Sequence, residues 1–517
     1  MTATQEQTNG MKSDQLSYLW LIIGAILSLF ANGNWIVPIA TWLFPIFIIR
    51  FLRGQKRIWG IILCALAFTG INILAWQDMI PLSGILYYVV TSGIGILLFL
   101  PFLADKIIAT KLTGFLSTLV FPLAFTSVEY INSLLNPFGT WGSLAYTQYG
   151  NLPLMQVVSI TGVFGLTFLI TWFAPVVNWI WEQQLEWPRI NKGVKIYVGV
   201  MVAVFLFGGM VLVFLSPKSN DVKVAGVQSH LYETVLNHPY LEWFENGNVA
   251  EANWDSILAK AKIVNDDLFS KSKLAAENGA KFVFWAETTA FISIQDEPAF
   301  IERAKDLAKQ EQIYLGMALA TILHTDYTRL PDNKMAENKV VIVGPTDDVL
   351  SEYHKTILVP GLEAAMGVKG NDEISIIGTP YGRISSLICY DNDFPSLTRR
   401  VGKAGADIFF DPSGDWEGID PYHTNMKAFR AIENGFSYVR ITRGGLSAAY
   451  DYQGRTLATM DYFKTEDKIL TAHVPEKGVT TIYSQIGDLF AWFNIAGLIT
   501  LSGLALIRKR RSDIARR

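Results

Sequence analysis

Long apolar segments constrain this chain more than any other feature of its sequence. Seven precede residue 217, at 16–31, 35–49, 58–76, 84–103, 112–130, 157–181 and 195–215, and an eighth runs from about 488 to 507. Most approach the roughly 20 residues that a helix needs to cross a hydrocarbon core of about 30 Å. With 50% hydrophobic and only 17% charged residues, the chain is too apolar for a soluble protein of this length. We therefore predict an α-helical transmembrane bundle of about eight spans.

The loops between these segments differ in charge. RFLRGQKR (50–57), ADKIIATK (104–111), WPRINKGVK (187–195) and the C-terminal RKRRSDIARR are basic, whereas the alternate loops contain no Lys or Arg. Because basic loops stay in the cytoplasm, both termini are expected there, and the long segment between spans seven and eight is expected outside. The outer loop 132–154 is rich in Gly, Asn, Tyr and Trp. Such rings favour the membrane interface, so we expect this loop to help form a lipid-facing entrance.

Between residues 218 and 485 the composition changes. Strand-like runs such as VKVAGVQS, AKFVFWAE, NKVVIVGP, GRISSLICY, ADIFFDPS and FSYVRITR alternate with helical stretches at 254–278, 297–312, 396–404 and 423–434. This alternation predicts a layered α/β domain of about 260 residues. The predicted organisation is a membrane region at 1–217, an extracytoplasmic domain at 218–485, and a final span with a basic tail at 486–517.

Several classes of partner and cofactor are disfavoured. A net charge of −3 gives no reason to expect a nucleic acid. Two cysteines, Cys64 in an apolar run and Cys389 far from it, do not make a disulfide framework. His, Cys and Asp do not occur at metal-ligand spacing, and no GxxxxGK[ST] loop is present. We therefore expect neither a metal nor a cofactor.

Three titratable residues close predicted strands of the α/β domain, where chemistry gathers in such folds. Glu287 closes KFVFWAE, Lys355 closes VLSEYHK, and Cys389 closes RISSLIC. Taken singly, each has a structural explanation: a packed small hydrophobe, a solvated strand end or a surface lysine. Together they supply a nucleophile, a base to deprotonate it and a cation for the resulting oxyanion. No histidine is a convincing partner for the thiol, and His354 and His423 are the nearest candidates.

These residues and their flanking motifs resemble the nitrilase superfamily, whose members carry a Glu-Lys-Cys triad on an αββα sandwich. The motifs are VAGVQS, FWAET, VIVGPTDDVLSEYHKTILVPGLE, GRISSLICYDNDFP, FRAIENG and VRITRGGLSAAYDYQGR. Eight spans with this domain before the last one are similar to one branch, the apolipoprotein N-acyltransferases. LAYTQYGNLPLMQVVSITGVFGLTFL is similar to that family's outer loop and sixth span. The sequence departs from the family at Ala286, at Gly361–Leu362 and across DPSGDWEG (411–418).

The resemblance implies a role for each matching residue. Glu287 would be the general base, Lys355 the oxyanion stabiliser and Cys389 the nucleophile. Glu363 would orient the site, and Tyr390 and Asp391 match the supporting positions after the cysteine. Asp391 is expected to bind a backbone donor or the incoming amine. Arg430 and Glu433 would be a structural pair.

The resemblance also implies the substrates. An acyl chain would pass from a membrane phospholipid, through a Cys389 thioester, to the α-amino group of a diacylglyceryl-cysteine at a lipoprotein N-terminus. The enzyme would lie in a bacterial cytoplasmic membrane, because both substrates carry chains that are costly to expose to water. Two alternatives remain open at the level of sequence. One is a membrane-tethered amidase or nitrilase, in which water resolves the thioester, and the other is a non-catalytic assembly factor with the same fold.

Overall fold

The computed structural model describes residues 17–55, 58–236, 254–323 and 334–515, except for the side chains of Leu362 and 510–515. Residue 16 of the first predicted segment, residues 56–57 of the first basic loop and the last two residues of the basic tail lie outside this description. The chain divides into two compact units, Met1–Val213 with Ile486–Arg517, and Phe214–Gln485.

The first unit is helical. Its helices are Ser17–Leu29, Pro38–Gly54, Ile58–Ala75, Gly84–Ile108, Val120–Leu135, Leu152–Met155, Val158–Thr161, Val163–Glu182, Trp187–Phe214 and Leu489–Ala515. Each of the eight predicted apolar segments overlaps one of the longer helices, so the predicted helical bundle is confirmed. Within the described ranges, six helices are long and apolar enough to cross a membrane. The first two predicted spans are shorter helices of 13 and 17 residues, or about 20 and 26 Å at 1.5 Å per residue.

A buried carboxyl group holds the outer loop within this unit. Glu129 Oε1 accepts hydrogen bonds from Ser143 Oγ at 2.7 Å and Thr167 Oγ1 at 2.8 Å, and Oε2 accepts one from the Leu144 N–H at 3.2 Å. Glu129 is buried, and a polar group inside an apolar bundle requires such partners. The loop at Ser143–Leu144 is therefore fixed to the helices Val120–Leu135 and Val163–Glu182. Its role as a lipid entrance stays a prediction.

The described residues of the second unit form two β-sheets. Its strands in chain order are β1 Asp221–Val227, β2 Phe282–Trp285, β3 Ala290–Ser293, β4 Tyr314–Ile322, β5 Ala336–Val343, β6 Val349–His354, β7 Gly367–Val368, β8 Ile377–Thr379, β9 Gly382–Ser386, β10 Ile408–Gly414, β11 Ser437–Arg443, β12 Leu446–Tyr450, β13 Thr456–Asp461 and β14 Ile469–Pro475. The first sheet has the order β14-β1-β2-β4-β5-β6, with β3 beside β4 and β7 beside β5. The second has the order β13-β12-β11-β10-β9-β8.

The two sheets pack face to face. The ring of Phe284 on β2 stacks on that of Phe410 on β10, with 3.8 Å between centroids and 4° between planes. On β1, a Cβ at Gly226 would lie 2.4 Å from the Ile441 side chain on β11, so this close approach requires glycine. Stacked rings and a bare backbone thus bring the inner faces together.

Helices cover the outer faces. Helices Trp254–Glu277 and Glu297–Glu311 pack on the first sheet around Trp285, whose indole N–H donates to Ser272 Oγ at 2.8 Å. Helix Tyr422–Asn434 packs on the second sheet, where Arg440 donates from Nε to Thr424 Oγ1 at 3.0 Å. The remaining helices are Leu362–Met366, Pro395–Lys403 and Ile482–Ile486. The predicted αββα sandwich is confirmed.

Parallel pairing sets where the site forms. In the first sheet β1, β2 and β4 are parallel neighbours, and in the second β9, β10 and β11 are. The carboxyl ends of parallel strands share one edge of a sheet. Glu287 follows β2 and Cys389 follows β9. Antiparallel β5 and β6 pair Lys339 with His354, which brings Lys355 beside Asn338.

Candidate active site

Glu287 and Lys355 form a buried ion pair. Lys355 Nζ donates to Glu287 Oε1 at 2.7 Å and to Glu363 Oε2 at 2.8 Å. Glu287 is 5% exposed and Lys355 is 1% exposed. Since an ammonium carries three N–H donors, these two bonds leave one donor of Lys355 for another acceptor.

Asn338 links the two carboxylates, and the sequence pattern did not single it out. Its Nδ2 donates to Glu287 Oε1 at 2.8 Å and to Glu363 Oε1 at 2.9 Å. Glu363 Oε2 also accepts from the Val359 N–H at 2.8 Å, which ties the loop after Lys355 to the site. The structure therefore brings Glu363 to the group as predicted, and adds Asn338 to it.

Cys389 has a constrained backbone. It follows β9 and begins the 3-10 helix Cys389–Asp393, with φ at +44°. This left-handed conformation is unfavourable for a residue with a side chain and persists only where the surroundings hold it. Asp411 on β10 does so, because its Oδ1 accepts the Cys389 N–H at 2.9 Å. Cys389 is 4% exposed, its thiol lies 3.8 Å from the Gly414 carbonyl oxygen, and the Glu287 carboxylate is near enough to act on its charge.

The charge states of the group follow from burial and mutual contact. Burial, followed by the nearby Glu287 carboxylate, raises the pKa of the Cys389 thiol well above its ordinary value. Burial alone would raise the pKa of Glu287, but the Lys355 charge and the hydrogen bonds from Lys355 and Asn338 hold it below its ordinary value. Burial likewise opposes the charge on Lys355, yet Glu287 and Glu363 raise its pKa well above the ordinary range. At rest the site holds a neutral thiol, a carboxylate and an ammonium.

Asp391 and Tyr390 pack into the domain. Asp391 is fully buried and accepts from the Tyr353 hydroxyl at 2.8 Å, the Ile357 N–H at 2.7 Å and the Ile388 N–H at 3.3 Å. Burial raises its pKa to about 7, although Lys355 and these hydrogen bonds oppose the shift. Of its two expected roles, binding backbone donors is the one that the geometry supports. The Tyr390 ring packs edge-on against Phe394, with 5.5 Å between centroids.

His423 lies closer to the thiol than its sequence position indicated. The Cys389 sulfur, an Asp415 carboxylate oxygen and a His423 ring nitrogen lie within 4.8 Å of one another. His423 Nδ1 is 2.8 Å from Asp415 Oδ1, and Nε2 is 2.9 Å from Asp393 Oδ1. Both ring nitrogens therefore face carboxylates.

Two clusters offer metal-type donors among the described residues: the Cys389–Asp415–His423 cluster, and Glu337, Glu352 and His354 on β5 and β6. Cations of the protein already occupy both. Arg440 Nη2 lies 2.7 Å from Asp415 Oδ1, and Lys339 Nζ lies 3.0 Å from both Glu337 and Glu352. His354 is 3.0 Å from Glu352 and belongs to the second cluster, away from the thiol. These donor sets fit ion pairs better than a metal ion.

Gly414 lies close to the Glu287 carboxylate and to Arg443. A Cβ at Gly414 would lie 3.0 Å from Arg443 Nη2 and 3.4 Å from Glu287 Oε2. The Arg443 guanidinium in turn lies over the Tyr232 ring, 4.7 Å from its centroid. Asp411, Gly414 and Asp415 belong to DPSGDWEG, one of the three places where the sequence departs from the family it resembles.

Two facing sheets, outer helices and a buried Glu, Lys and Cys group at the strand ends define a carbon-nitrogen hydrolase domain. The sequence pattern of the carbon-nitrogen hydrolase family matches residues 246–483. A second pattern, the apolipoprotein N-acyltransferase N-terminal domain, matches residues 23–176. The chain matches both patterns and is similar to apolipoprotein N-acyltransferases along most of its length.

Two individual relatives are named apolipoprotein N-acyltransferases. An apolipoprotein N-acyltransferase of Geobacter metallireducens is 27% identical over 412 residues, covering 75% of this chain and 74% of the relative. Apolipoprotein N-acyltransferase 1 of Treponema denticola is 24% identical over 563 residues, covering 96% of this chain and 98% of the relative. Among solved structures, an amidase from Nesterenkonia sp. is 18% identical, with a TM-score of 0.40, over 54% of this chain and 97% of its own.

Proposed function

We propose that this protein is an acyltransferase that moves a fatty acyl chain from a membrane phospholipid to the N-terminal amine of a diacylated lipoprotein. The proposal joins the similarity of the chain to known acyltransferases with its site. The observation that carries it is the buried group in which Glu287 contacts the Lys355 ammonium at 2.7 Å and acts on the charge of the Cys389 thiol. Such a group provides a base, a cation and a nucleophile at one point.

In the first half-reaction Glu287 takes the Cys389 proton as the sulfur attacks the ester carbonyl of the phospholipid. The thiol is neutral at rest and the carboxylate is ionised, so proton transfer accompanies attack. The remaining donor of Lys355, with the backbone N–H of Tyr390, stabilises the tetrahedral oxyanion. The C–O bond then breaks, Glu287 returns the proton to the departing alkoxide, and lysophospholipid leaves. Cys389 carries the acyl chain as a thioester.

In the second half-reaction the α-amino group of the diacylglyceryl-cysteine attacks the thioester. Glu287 removes a proton from the attacking nitrogen, the C–S bond breaks, and the thiolate recovers a proton. The products are an N-acylated lipoprotein and free Cys389. Because the first product leaves before the second substrate reacts, the kinetics are ping-pong. Water in place of the amine would give the hydrolase outcome, so the acceptor distinguishes the two reactions.

The membrane unit supports the same proposal. Six of its helices are candidate spans, and the basic loops lie on one side of the predicted topology. We propose a multi-pass protein of the bacterial cytoplasmic membrane, with both termini in the cytoplasm and the sandwich domain outside. Lipid substrates give a reason for more spans than an anchor requires, because both donor and acceptor reside in the bilayer.

Intact-protein mass spectrometry tests the proposal. Purified protein is mixed with phospholipid, without acceptor, and compared with Cys389→Ser and with Cys64→Ser, whose thiol is buried in the helical unit. A hydroxylamine-labile acyl adduct is expected on wild type and Cys64→Ser, and not on Cys389→Ser. A diacylglyceryl-cysteine peptide should discharge the adduct and become N-acylated. Absence of any adduct on wild type would refute the phospholipid donor, and discharge by water alone would refute the transfer.

A further inference from the structure

A network of buried charges from the second sheet supports Cys389. Asp411 on β10 accepts the Cys389 N–H through Oδ1, and its Oδ2 accepts from Arg440 Nη1 at 2.5 Å and from the Tyr438 hydroxyl at 2.7 Å. Arg440 lies on the adjacent strand β11, where it pairs with Asp411 in register. The Arg440 guanidinium is therefore linked to the Cys389 backbone through one residue, Asp411.

Arg440 is itself fixed on its other side. Its Nη2 lies 2.7 Å from Asp415 Oδ1 and 2.8 Å from His423 Nδ1. His423 is held by Asp393, which also pairs with Lys427. The side chain of Arg440 is fully buried. The free-energy cost of removing this guanidinium from water is offset by its two carboxylate partners. A cation held this firmly imposes its position on its neighbours.

The thiol faces charged and titratable groups from several elements. Glu287 and Lys355 act on the thiol from loops of the first sheet, and Asp415 and Arg440 act on it from the second sheet. His423, on the helix that covers the second sheet, has a ring nitrogen within 4.8 Å of the sulfur. The field of Lys355 and that of Arg440 both favour the thiolate, whereas Glu287 and Asp415 oppose it. Lys355 is directly bonded to Glu287, but Arg440 is not.

We propose that Arg440 is a positioning residue for the acyl-transfer reaction, holding the Cys389 backbone in its left-handed conformation through Asp411 and presenting a second fixed cation to the sulfur. This inference rests on the proposed function of Cys389 as the nucleophile. Lys355 stabilises charge on the substrate oxygen, and Arg440 stabilises the charge that develops on the sulfur as its proton leaves during attack and again when the thiolate departs. The two cations come from different sheets, so the domain has to be assembled before the thiol becomes reactive.

The experiment measures the reactivity of Cys389 directly. Alkylation by iodoacetamide is followed against pH in full-length protein that carries Cys64→Ser, so that Cys389 is the single thiol. The variants are Arg440→Met, which removes the cation, and Arg440→Lys, which keeps the charge but loses the two-pronged contact. Arg430→Met is the matched control, because Arg430 is also buried, pairs with Glu433 and does not contact Asp411.

The expected results separate charge from packing. Loss of the cation disfavours the thiolate, so the midpoint of alkylation in Arg440→Met should move to higher pH by about one unit. Arg440→Lys should keep the wild-type midpoint with a reduced limiting rate. Arg430→Met should keep the midpoint even if its thermal stability falls. A midpoint in Arg440→Met that coincides with wild type would overturn the inference.

Asp411→Asn provides a second test if Arg440→Met does not accumulate. Asparagine retains an acceptor oxygen for the Cys389 N–H but leaves Arg440 with one counterion fewer, so the midpoint should move to lower pH. An unchanged midpoint would again overturn the inference. Since alkylation requires no lipid, the result is independent of the acyl-adduct experiment. Failure of the adduct to form on wild type would count against the proposed function, and an unshifted alkylation profile would count against Arg440 alone.

Discussion

Replacing Asn338 with alanine tests whether Glu287 is the base. Asn338 donates to Glu287 at 2.8 Å and to Glu363 at 2.9 Å, and a hydrogen bond to a charged group contributes about 1.5–3 kcal/mol. Loss of the bond to Glu287 corresponds to about one to two units of pKa. The ionised form of Glu287 loses a partner while Lys355 remains, so its pKa rises from below the ordinary glutamate value.

The sign of the effect follows from the proposed mechanism. Glu287 must be ionised to take the Cys389 proton, so acylation is lost as the pH falls through its pKa. In Asn338→Ala this acid limb should move to higher pH by about one to two units. At neutral pH the base stays ionised, and the rate should fall by about tenfold or less through looser positioning of Glu287 and Glu363.

The assay is single-turnover thioester formation followed by intact-protein mass spectrometry between about pH 4 and pH 8. Asn265→Ala is the matched control, because Asn265 is a buried asparagine whose Nδ2 donates to the Phe291 carbonyl at 2.9 Å, outside the Glu287 group. The control loses a buried hydrogen bond without moving the acid limb. A folded Asn338→Ala with a wild-type acid limb would refute the assignment of Glu287 as the titrating base.

Two further predictions concern the second sheet. Gly414→Ala places a methyl group 3.0 Å from Arg443 and 3.4 Å from Glu287, so thioester formation should slow about tenfold with the fold retained. Gly378→Ala, with nothing within 4 Å of its Cβ, should react as wild type. Equal rates of thioester formation in Gly414→Ala and Gly378→Ala would refute the steric argument. Burial opposes ionisation of Asp393, but His423 and Lys427 hold its pKa below the ordinary range. This carboxylate therefore stabilises the fold above about pH 4 and ceases to do so as the pH falls through its native pKa. The difference in thermal stability between wild type and Asp393→Asn should narrow with acidification, and a constant difference would contradict this.

Local sequence pattern predicted much of the architecture. Apolar runs about long enough to span a membrane identified the eight longer helices of the first unit. Alternating strand-like and helical runs predicted the sandwich of two sheets. Several strands of the second sheet escaped detection. LSAAY, which forms β12, and TLATMD, which forms β13, do not stand out, because antiparallel strands at the end of a sheet carry mixed polar and apolar residues.

Some residues of the candidate site were likewise predicted from the sequence, and others were not. Glu287, Lys355 and Cys389 were predicted from their positions at strand ends, and the structure places them together. Asn338 lies inside β5, and only the pairing of β5 with β4 and β6 brings its amide between two carboxylates. His423 was named as one of the nearest histidines but not as a convincing partner for the thiol, yet the packing of its helix on the second sheet brings it within 4.8 Å.

The sequence by itself determined the elements that hydrophobicity and residue chemistry specify locally: the apolar helices, the alternating strands, and the presence of a thiol, a carboxylate and an amine at strand ends. Only the tertiary structure decided which charges meet. Asp411 and Arg440 are ordinary polar residues in their own segments, and they become supports of Cys389 because β9, β10 and β11 lie side by side in parallel register. Burial then strengthens the interactions between these groups, because charges removed from water interact strongly with the groups that the fold places beside them.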